Sequence, residues 1–270
     1  MLRDSTVTIP SVPELRQFIG SLSVVIPAYN AERHISRTLG AIETWLSVQG
    51  VPHEIIVVDD GSGDGTAEAT AKRGAGVRVL RNESNRGKGY SVRRGVLASS
   101  NAWVLFTDAD NAIGIEHLSR FARSAGEADI VIASRHLPGA VMLRPQGVLR
   151  QCLGRLFAGV VRLLALPGCS DSQCGFKLLR QEAAEKVFSV QRVDRFAFDV
   201  EVLLLARRFG LRVVELPVTC DNPPDSTIRP GLDSLRMGFD LLRILWRLRR
   251  GRRVSAFSDK AGSSGRSENG

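Results

Sequence analysis

The chain has 270 residues, of which 43% are hydrophobic and 24% are charged, so it is long enough to form one substantial globular domain. Its formal net charge of +9 and sequence pI of about 10.1 favour an anionic partner, such as nucleic acid, a phosphorylated substrate or an anionic membrane surface. Aromatic residues make up only 6% and do not alternate with basic ones, which argues against a platform that stacks single-stranded bases.

The cysteines and the hydropathy pattern indicate a cytoplasmic protein. Cys152, Cys169, Cys174 and Cys220 form no CxxC pair and no dense disulfide pattern, which is typical of a reduced compartment. No basic segment followed by an apolar one opens the chain, so no signal peptide is predicted. No uninterrupted apolar run reaches the roughly 18 residues that a transmembrane helix needs.

In the first half of the chain, short apolar strands alternate with amphipathic helices. Residues 1–20 are polar, and we predict a loosely held arm there. Strands are predicted at Leu22–Ile26, Glu54–Val58, Val77–Leu80, Trp103–Thr107 and Ile130–Ala133. Helices are predicted at Glu32–Val48, from Thr66 or just after it, from Arg86–Gly89 through about Leu97, and after Gly114. The alternation predicts an α/β fold whose central sheet is mostly parallel and covered by helices on both faces.

The second half is less regular. It is predicted to contain a helix at 147–166, a strand at 176–179, helices at 182–188 and 198–208, a strand at 211–216 and a last helix at 232–250. We divide the chain into an arm (1–20), a main domain (21–228), a basic amphipathic helix (229–250) and a tail (251–270) that its composition predicts to be disordered.

Two carboxylates, Asp108 and Asp110, directly follow the apolar strand Trp103–Thr107. Ligands of open α/β sheets bind at the carboxyl ends of strands. Two acidic groups one residue apart repel each other unless a cation lies between them, and a hard divalent ion with oxygen ligands fits that position. The alternative is an ordinary turn, in which Asp and Asn are common.

Polar residues also follow other predicted strands. Tyr29 could stack on a base, and Asp59 and Asp60 could accept hydrogen bonds from a base N–H or a ribose hydroxyl. The loop after Asp60 has neither the dinucleotide spacing of glycines nor a Walker A lysine. The segment Arg86–Gly89 places two cations at the start of a helix, where they interact unfavourably with the helix dipole. A phosphate bound nearby would compensate for this placement. The alternatives are that these segments form ordinary turns, strand or helix caps, and solvent-exposed charges that bind no ligand.

Several motifs resemble the inverting GT-A glycosyltransferases of family 2. They are Val-Val-Ile-Pro-Ala-Tyr-Asn at 24–30, Val-Val-Asp-Asp-Gly-Ser-Gly-Asp-Gly-Thr at 57–66, Asn-Arg-Gly-Lys-Gly at 85–89 and Phe-Thr-Asp-Ala-Asp at 106–110. Residues 171–177 and 195–201 resemble dolichyl/polyprenyl-phosphate sugar synthases, most closely the dolichyl-phosphate β-glucosyltransferase branch. The resemblance covers about residues 22 to 245, in the expected order.

The resemblance implies a GT-A catalytic domain that uses a nucleotide-sugar, with a UDP-sugar favoured, and Mg²⁺ or Mn²⁺ bound by Asp108 and Asp110. The implied donor-binding residues are Pro27, Tyr29, Asp59, Asp60, Lys88, Ala109, Arg135, Gln173 and Arg229. Asp199 and Glu201 are the implied catalytic residues beside Asp108 and Asp110. The chain departs from the family pattern at Ala31, where an acid is usual, and at residues 226–229, where Ser-Lys is usual.

The implied acceptor is a polyprenyl or dolichyl phosphate. A phosphate needs little base catalysis, whereas a saccharide or other soluble acceptor would need Asp199 or Glu201 to take a proton. A third alternative is a nucleic-acid-binding module, but the acidic loops that follow the strands argue against it, because they would repel a phosphate backbone. We therefore expect no nucleic acid partner.

The last predicted helix is amphipathic, which suggests a peripheral position on the cytoplasmic face of a membrane. Charged residues share one face: Asp233, Arg236, Asp240, Arg243, Arg247 and Arg250. Apolar residues fill the rest: Leu235, Phe239, Leu242, Leu245, Trp246 and Leu248. The eukaryotic branch has an N-terminal membrane anchor that is not apparent here. The alternative is that this helix packs into the core, a homo-oligomer or a membrane-protein partner.

Overall fold

Seven strands form the central sheet in the part of the chain that a computed structural model describes, residues 12–74, 76–144, 147–221 and 236–248. Side chains at 12–14 and 148–153 are not described. The strands are β1 (Leu22–Ala28), β2 (His53–Asp59), β3 (Val77–Arg81), β4 (Trp103–Thr107), β5 (Ile130–Ser134), β6 (Val141–Met142), β7 (Phe176–Arg180), β8 (Val213–Pro217) and β9 (Thr219–Cys220). Strands β6 and β9 pair with each other in a separate two-stranded sheet.

Helices cover both faces of this sheet. They are α1 (Val12–Ile19), α2 (Glu32–Gln49), α3 (Thr66–Ala71), α4 (Lys88–Leu97), α5 (Leu118–Ser124), α6 (Val148–Leu164), α7 (Gln181–Phe188), α8 (Phe198–Arg208) and α9 (236–248), with a 3₁₀ turn at Ile115–His117. The prediction of an α/β fold with strands and helices alternating through the first half is confirmed.

The strand order is β3-β2-β1-β4-β7-β5-β8, and the sheet is parallel except for β7. Strand β7 runs antiparallel to both of its neighbours, with Thr107 of β4 paired to Phe176. The predicted mostly parallel sheet is therefore confirmed, although no local pattern indicated that β7 is reversed. Because β7 is reversed, the loop that enters it lies at the same edge at which β4 ends.

Each face of the sheet has its own apolar core. Leu15, Leu39 and Phe121 pack on one face, from α1, α2 and α5. Helices α4, α7, α8 and α9 cover the other, where Phe198 and Leu241 are buried. Burying each of these large side chains contributes about 1.5–3 kcal/mol. Strands buried on both faces leave only their ends open to a ligand.

The N-terminal arm was predicted wrongly for residues 12–19. This segment is helix α1, and Leu15 and Ile19 are each 1% exposed, so apolar burial holds it in the core beside α2 and α5. Residues 1–11, the tail 251–270 and both ends of the predicted helix 229–250 lie outside the described residues.

Helices α6 and α9 are amphipathic and lie on the same side of the sheet. Val161 of α6 and Leu241 and Ile244 of α9 are buried in one cluster. The remaining sides of both helices carry exposed apolar residues. Within the described ranges, no helix is long and apolar enough to cross a bilayer.

Candidate active site

The loop after β4 holds Asp108 and Asp110 close together. Asn111 adopts a left-handed conformation with φ of 55°, and its backbone N–H donates to the Asp108 carbonyl over 3.2 Å. This tight turn keeps both carboxylates at the strand end. Burial raises the pKa of Asp110, and the charge of Asp108 raises it further. Two hard oxygen donors that repel each other suit a divalent cation.

Lys88 provides the nearest positive charge. It is the first residue of α4, and its Nζ lies 2.6 Å from Asp108 Oδ1. Burial by itself lowers the pKa of this ammonium, but the charges of Asp108 and Asp199 outweigh it and raise the pKa. Lys88 therefore remains protonated between these acids.

Gly175 leaves the room that Asp108 occupies. A Cβ atom added at Gly175 would lie 2.0 Å from Asp108 Oδ2, closer than any contact that two such atoms tolerate. Gly175 immediately precedes β7, so the reversed strand brings it to the end of β4. Any larger residue here would displace the Asp108 carboxylate.

The ends of β1 and β2 contribute different kinds of residue to this edge. Pro27 is half-buried within β1, and Tyr29 just beyond it is 41% exposed. Asp59 is buried, and its Oδ1 accepts a hydrogen bond from the Ser62 N–H. Its Oδ2 accepts no hydrogen bond within the described part of the chain, although Arg81 Nε lies 3.3 Å away.

Asp60 holds the loop that leads to Lys88. Its carboxylate accepts hydrogen bonds from the backbone N–H groups of Arg86 and Gly87, at 2.9 and 2.8 Å, and from Asn82 Nδ2 at 2.6 Å. These three donors account for its burial. Asp60 thus fixes the loop that leads into α4, and its role in binding the donor stays a prediction.

Arg135 forms a bidentate ion pair with Asp171. Its Nε and Nη2 lie 2.7 and 2.9 Å from the two carboxylate oxygens, and its backbone N–H donates to Oδ2. Gln173 is half-buried in the same loop, and its backbone N–H donates to Asp171 Oδ1. A role for Arg135 at the donor phosphates stays a prediction, since Asp171 already engages its guanidinium.

Asp199 forms a buried ion pair with Lys177. Lys177 Nζ lies 2.5 Å from Asp199 Oδ1 and also donates to the Cys174 carbonyl over 2.7 Å. Lys177 is completely buried and its ammonium lies 5.0 Å from the Phe106 ring centroid. Burial raises the pKa of Asp199, and the nearby positive charge of Lys177 offsets this only in part.

Glu201 has a structural role, which corrects its prediction as a catalytic residue. It is 1% exposed, and its Oε2 accepts hydrogen bonds from the Arg192 and Val193 N–H groups at 3.0 and 2.7 Å. Its Oε1 pairs with Arg247 of α9. Both oxygens therefore hold the loop before α8 and anchor α9.

The structure gathers most of the predicted residues, but not all. Ala109 lies in the turn between Asp108 and Asp110, where its carbonyl accepts from Thr38 Oγ1. Arg229 lies outside the described residues. Sequence reasoning gave no role to Asp171, Gly175 or Lys177. A lysine inside the apolar strand Phe176–Arg180 was the one signal that could have indicated a buried ion pair.

An edge with clustered carboxylates beside a doubly covered α/β sheet is typical of enzymes that bind nucleotides. Residues 23–188 match the family described as Glycosyl transferase family 2, and the chain belongs to this family of glycosyltransferases. The dolichyl-phosphate beta-glucosyltransferase of Drosophila melanogaster is 36% identical over 257 residues, covering 88% of this chain and 78% of the relative. The Dictyostelium discoideum protein of the same name is 32% identical, with the same coverage of both chains.

Solved structures share the fold at lower sequence identity. Mannosyl-3-phosphoglycerate synthase from Rubrobacter xylanophilus superposes with a TM-score of 0.66 at 20% identity, covering 90% of this chain and 80% of that one. Glucosyl-3-phosphoglycerate synthase from Mycobacterium tuberculosis, solved with Mn²⁺ and UDP-glucose, gives a TM-score of 0.62 at 20% identity, covering 87% of this chain and 82% of that one. The predicted GT-A fold is confirmed.

The Arg135–Asp171 pair predicts a pH-dependent contribution to stability. Burial raises the pKa of Asp171, but hydrogen bonds and charge from Arg135 lower it overall, from 3.8 to about 2. A lowered folded-state pKa stabilises the protein above the unfolded pKa, and this stabilisation is lost as the pH falls toward 2. We expect Asp171→Asn to reduce the free energy of unfolding by about 2 kcal/mol at neutral pH, and by progressively less below about pH 4.

Chemical denaturation of both proteins across this pH range measures the difference. Asp221→Asn is the matched control, because Asp221 pairs with Arg144 at an exposed position. Its expected cost is below about 1 kcal/mol. A loss in Asp171→Asn that is independent of pH would show that the ion pair contributes nothing specific.

Proposed function

We propose that this protein transfers a hexosyl group from a nucleotide-sugar, preferably a UDP-sugar, to a polyprenyl or dolichyl phosphate, with inversion at the anomeric carbon. The observation that carries the proposal is the convergence of Asp108, Asp110 and Lys88 at one edge of the sheet. It provides two acidic ligands for a cation beside one cation for a phosphate. The names of the most similar relatives support the lipid phosphate as acceptor.

On the donor side, the ends of β1 and β2 suit a nucleoside. The exposed ring of Tyr29 can stack on a base. Asp59 Oδ2 is a buried acceptor that receives no hydrogen bond from the described residues, and such an atom is costly unless a donor reaches it. A base N–H would satisfy it if the exposed Arg81 side chain moved aside.

Asp108 and Asp110 would hold Mg²⁺ or Mn²⁺, because their oxygens are hard donors and their charges repel each other. Among the described residues, no group of three or more acidic, histidine or cysteine side chains could hold a metal by itself. The donor diphosphate would then complete the coordination. A bound ion of this kind neutralises the charge that develops on a departing nucleoside diphosphate.

The buried state of Asp199 favours a phosphate acceptor over a hydroxyl. Asp199 is 3% exposed and already pairs with Lys177, which makes it a poor proton acceptor for an incoming hydroxyl. A phosphate monoester has a second pKa of roughly 6 and is largely ionised at neutral pH, so it needs no base. Lys177 and Asp199 would position the site, and alignment of the two substrates would supply much of the rate.

A lipid acceptor requires the protein to reach a membrane surface, and α6 and α9 provide a surface of the right chemistry. Their exposed apolar residues are Leu156, Val160, Leu163, Leu164, Phe239, Leu242 and Trp246. Exposed arginines accompany them, among them Arg155, Arg162 and Arg243. Apolar side chains beside arginines suit the interface of an anionic bilayer, so we place the protein peripherally on the cytoplasmic face.

Transfer of label from nucleotide-sugars tests the proposed reaction. Purified protein is incubated with Mn²⁺, dolichyl phosphate in detergent and either radiolabelled UDP-glucose or GDP-mannose, and the label is followed into a lipid that mild acid releases. We expect labelling from the UDP-sugar, and a loss of at least about 100-fold in Asp108→Asn and Asp110→Asn, because each removes a ligand of the cation.

Glu127→Gln is the matched control, since Glu127 is exposed in the loop before β5, at the opposite edge of the sheet. Full activity of either aspartate variant in the presence of a chelator would contradict the site. Label in a water-soluble product instead of a lipid would support the saccharide or other soluble acceptor.

Flotation with liposomes tests the membrane surface. We expect the wild-type protein to float with vesicles that contain anionic lipid, and the double variant Leu163→Glu, Phe239→Glu to stay in the dense fraction, because both changes place charge on the apolar surface. Val48→Glu is the control, since Val48 is 63% exposed on α2. Equal flotation of all three proteins would remove this surface from the proposal.

A further inference from the structure

Lys88 occupies one of the two carboxylates that the proposed cation needs. Its Nζ contacts Asp108 Oδ1 at 2.6 Å, and the Lys88 side chain is only 20% exposed. Asp108 Oδ2 lies against Gly175, whose missing side chain leaves it just enough room. One Asp108 oxygen thus contacts Lys88 and the other lies beside the Gly175 backbone, so a metal ion that binds Asp108 arrives next to the ammonium.

A divalent ion and an ammonium group on the same carboxylate oxygen would repel each other at close range. Binding of the ion to Asp108 is therefore weakened unless the Lys88 ammonium leaves. Its backbone has little freedom to do so. Gly87 has φ of 100°, and a Cβ there would lie 2.4 Å from the Asp194 carbonyl, while Asp60 binds the Gly87 N–H. The exchange must come from rotation of the Lys88 side chain alone.

The departing ammonium needs a new anionic partner. Asp199 already pairs with the buried Lys177. Asp110 would be shared with the incoming cation. The partner that arrives with the cation in the proposed reaction is the donor diphosphate, which carries the charge that a lysine binds well.

We propose that Lys88 and the divalent ion compete for Asp108, and that the donor diphosphate relieves this competition by binding the Lys88 ammonium. This inference rests on the proposed function. It makes Lys88 a positioning residue that couples the two ligands: the metal binds weakly alone and tightly with the nucleotide, and by thermodynamic reciprocity the metal strengthens nucleotide binding to the same degree.

Titration of Mn²⁺ followed by electron paramagnetic resonance, with and without UDP, measures this coupling directly and does not depend on turnover. For the wild-type protein we expect UDP to raise the Mn²⁺ affinity by about 10-fold or more. For Lys88→Gln we expect Mn²⁺ alone to bind about 10-fold more tightly than to the wild type, and UDP to raise the affinity by a smaller factor than in the wild type, because it still supplies phosphate ligands but no longer removes a competing ammonium.

Arg86→Gln is the matched control. It removes the same charge two residues away, where the guanidinium lies over the Tyr90 ring at 4.5 Å from its centroid. It should leave the Mn²⁺ titrations of the wild type unchanged. Thermal unfolding of all three proteins checks that each is folded.

The outcomes separate this inference from the function on which it rests. Wild-type protein that binds neither Mn²⁺ nor UDP would overturn both. Wild-type protein that binds both, with a Lys88→Gln variant whose affinity for Mn²⁺ alone is equal or lower, would overturn only the competition. An equal gain in Arg86→Gln would reduce the effect to net charge and would also overturn it.

Discussion

The repulsion between Asp108 and Asp110 is the constraint on which the rest of the site depends. The chain fixes both carboxylates at the end of β4 through the left-handed turn at Asn111. It brings Gly175 against one oxygen of Asp108 and Lys88 against the other. A reversed β7 is what makes this arrangement possible, because it delivers the Gly175 loop to the edge where the parallel strands end.

Around this pair, other buried acids have their oxygens occupied by hydrogen-bond donors of the protein. Asp60 binds the N–H groups before α4, and Glu201 binds those of Arg192 and Val193. These two segments touch each other, since the Tyr90 N–H donates to the Asp194 carbonyl. A carboxylate whose oxygens are occupied by N–H donors is stable when buried and has little capacity left for a cation. Hydrogen-bond partners thus distinguish ligands from supports among residues of the same type.

Much of this could be predicted from the sequence, because local patterns encode it. The alternation of apolar strands and amphipathic helices predicted the layered fold. The acidic residues directly after buried strands predicted the edge of the sheet at which the candidate site lies. The direction of β7 could not be predicted, since it depends on pairing with strands that are distant in sequence. For the same reason, the Lys177–Asp199 and Arg135–Asp171 ion pairs could not be predicted. The pairing of Glu201 with Arg247 could not be predicted either, so Glu201 was interpreted as a candidate base.

Helix α1 shows a different limit. It is too short for its few apolar residues to show a helical period, and it is held as a helix by packing of Leu15 and Ile19 into the core beside α2 and α5. For α9, the sequence left open whether it packs or faces a membrane. It packs through Leu241 and Ile244 and leaves Phe239 and Trp246 exposed, so packing in the core accounts for one side of the helix.

Anomalous diffraction at the manganese edge, from crystals grown with Mn²⁺ and UDP, is the most direct measurement of how this edge works. We predict a single strong peak in contact with carboxylate oxygens of both Asp108 and Asp110 and with the UDP phosphates, and a Lys88 ammonium that has moved from Asp108 to the diphosphate. A manganese ion that contacts neither aspartate, with UDP bound elsewhere on the protein, would contradict the assignment of this edge as the active site.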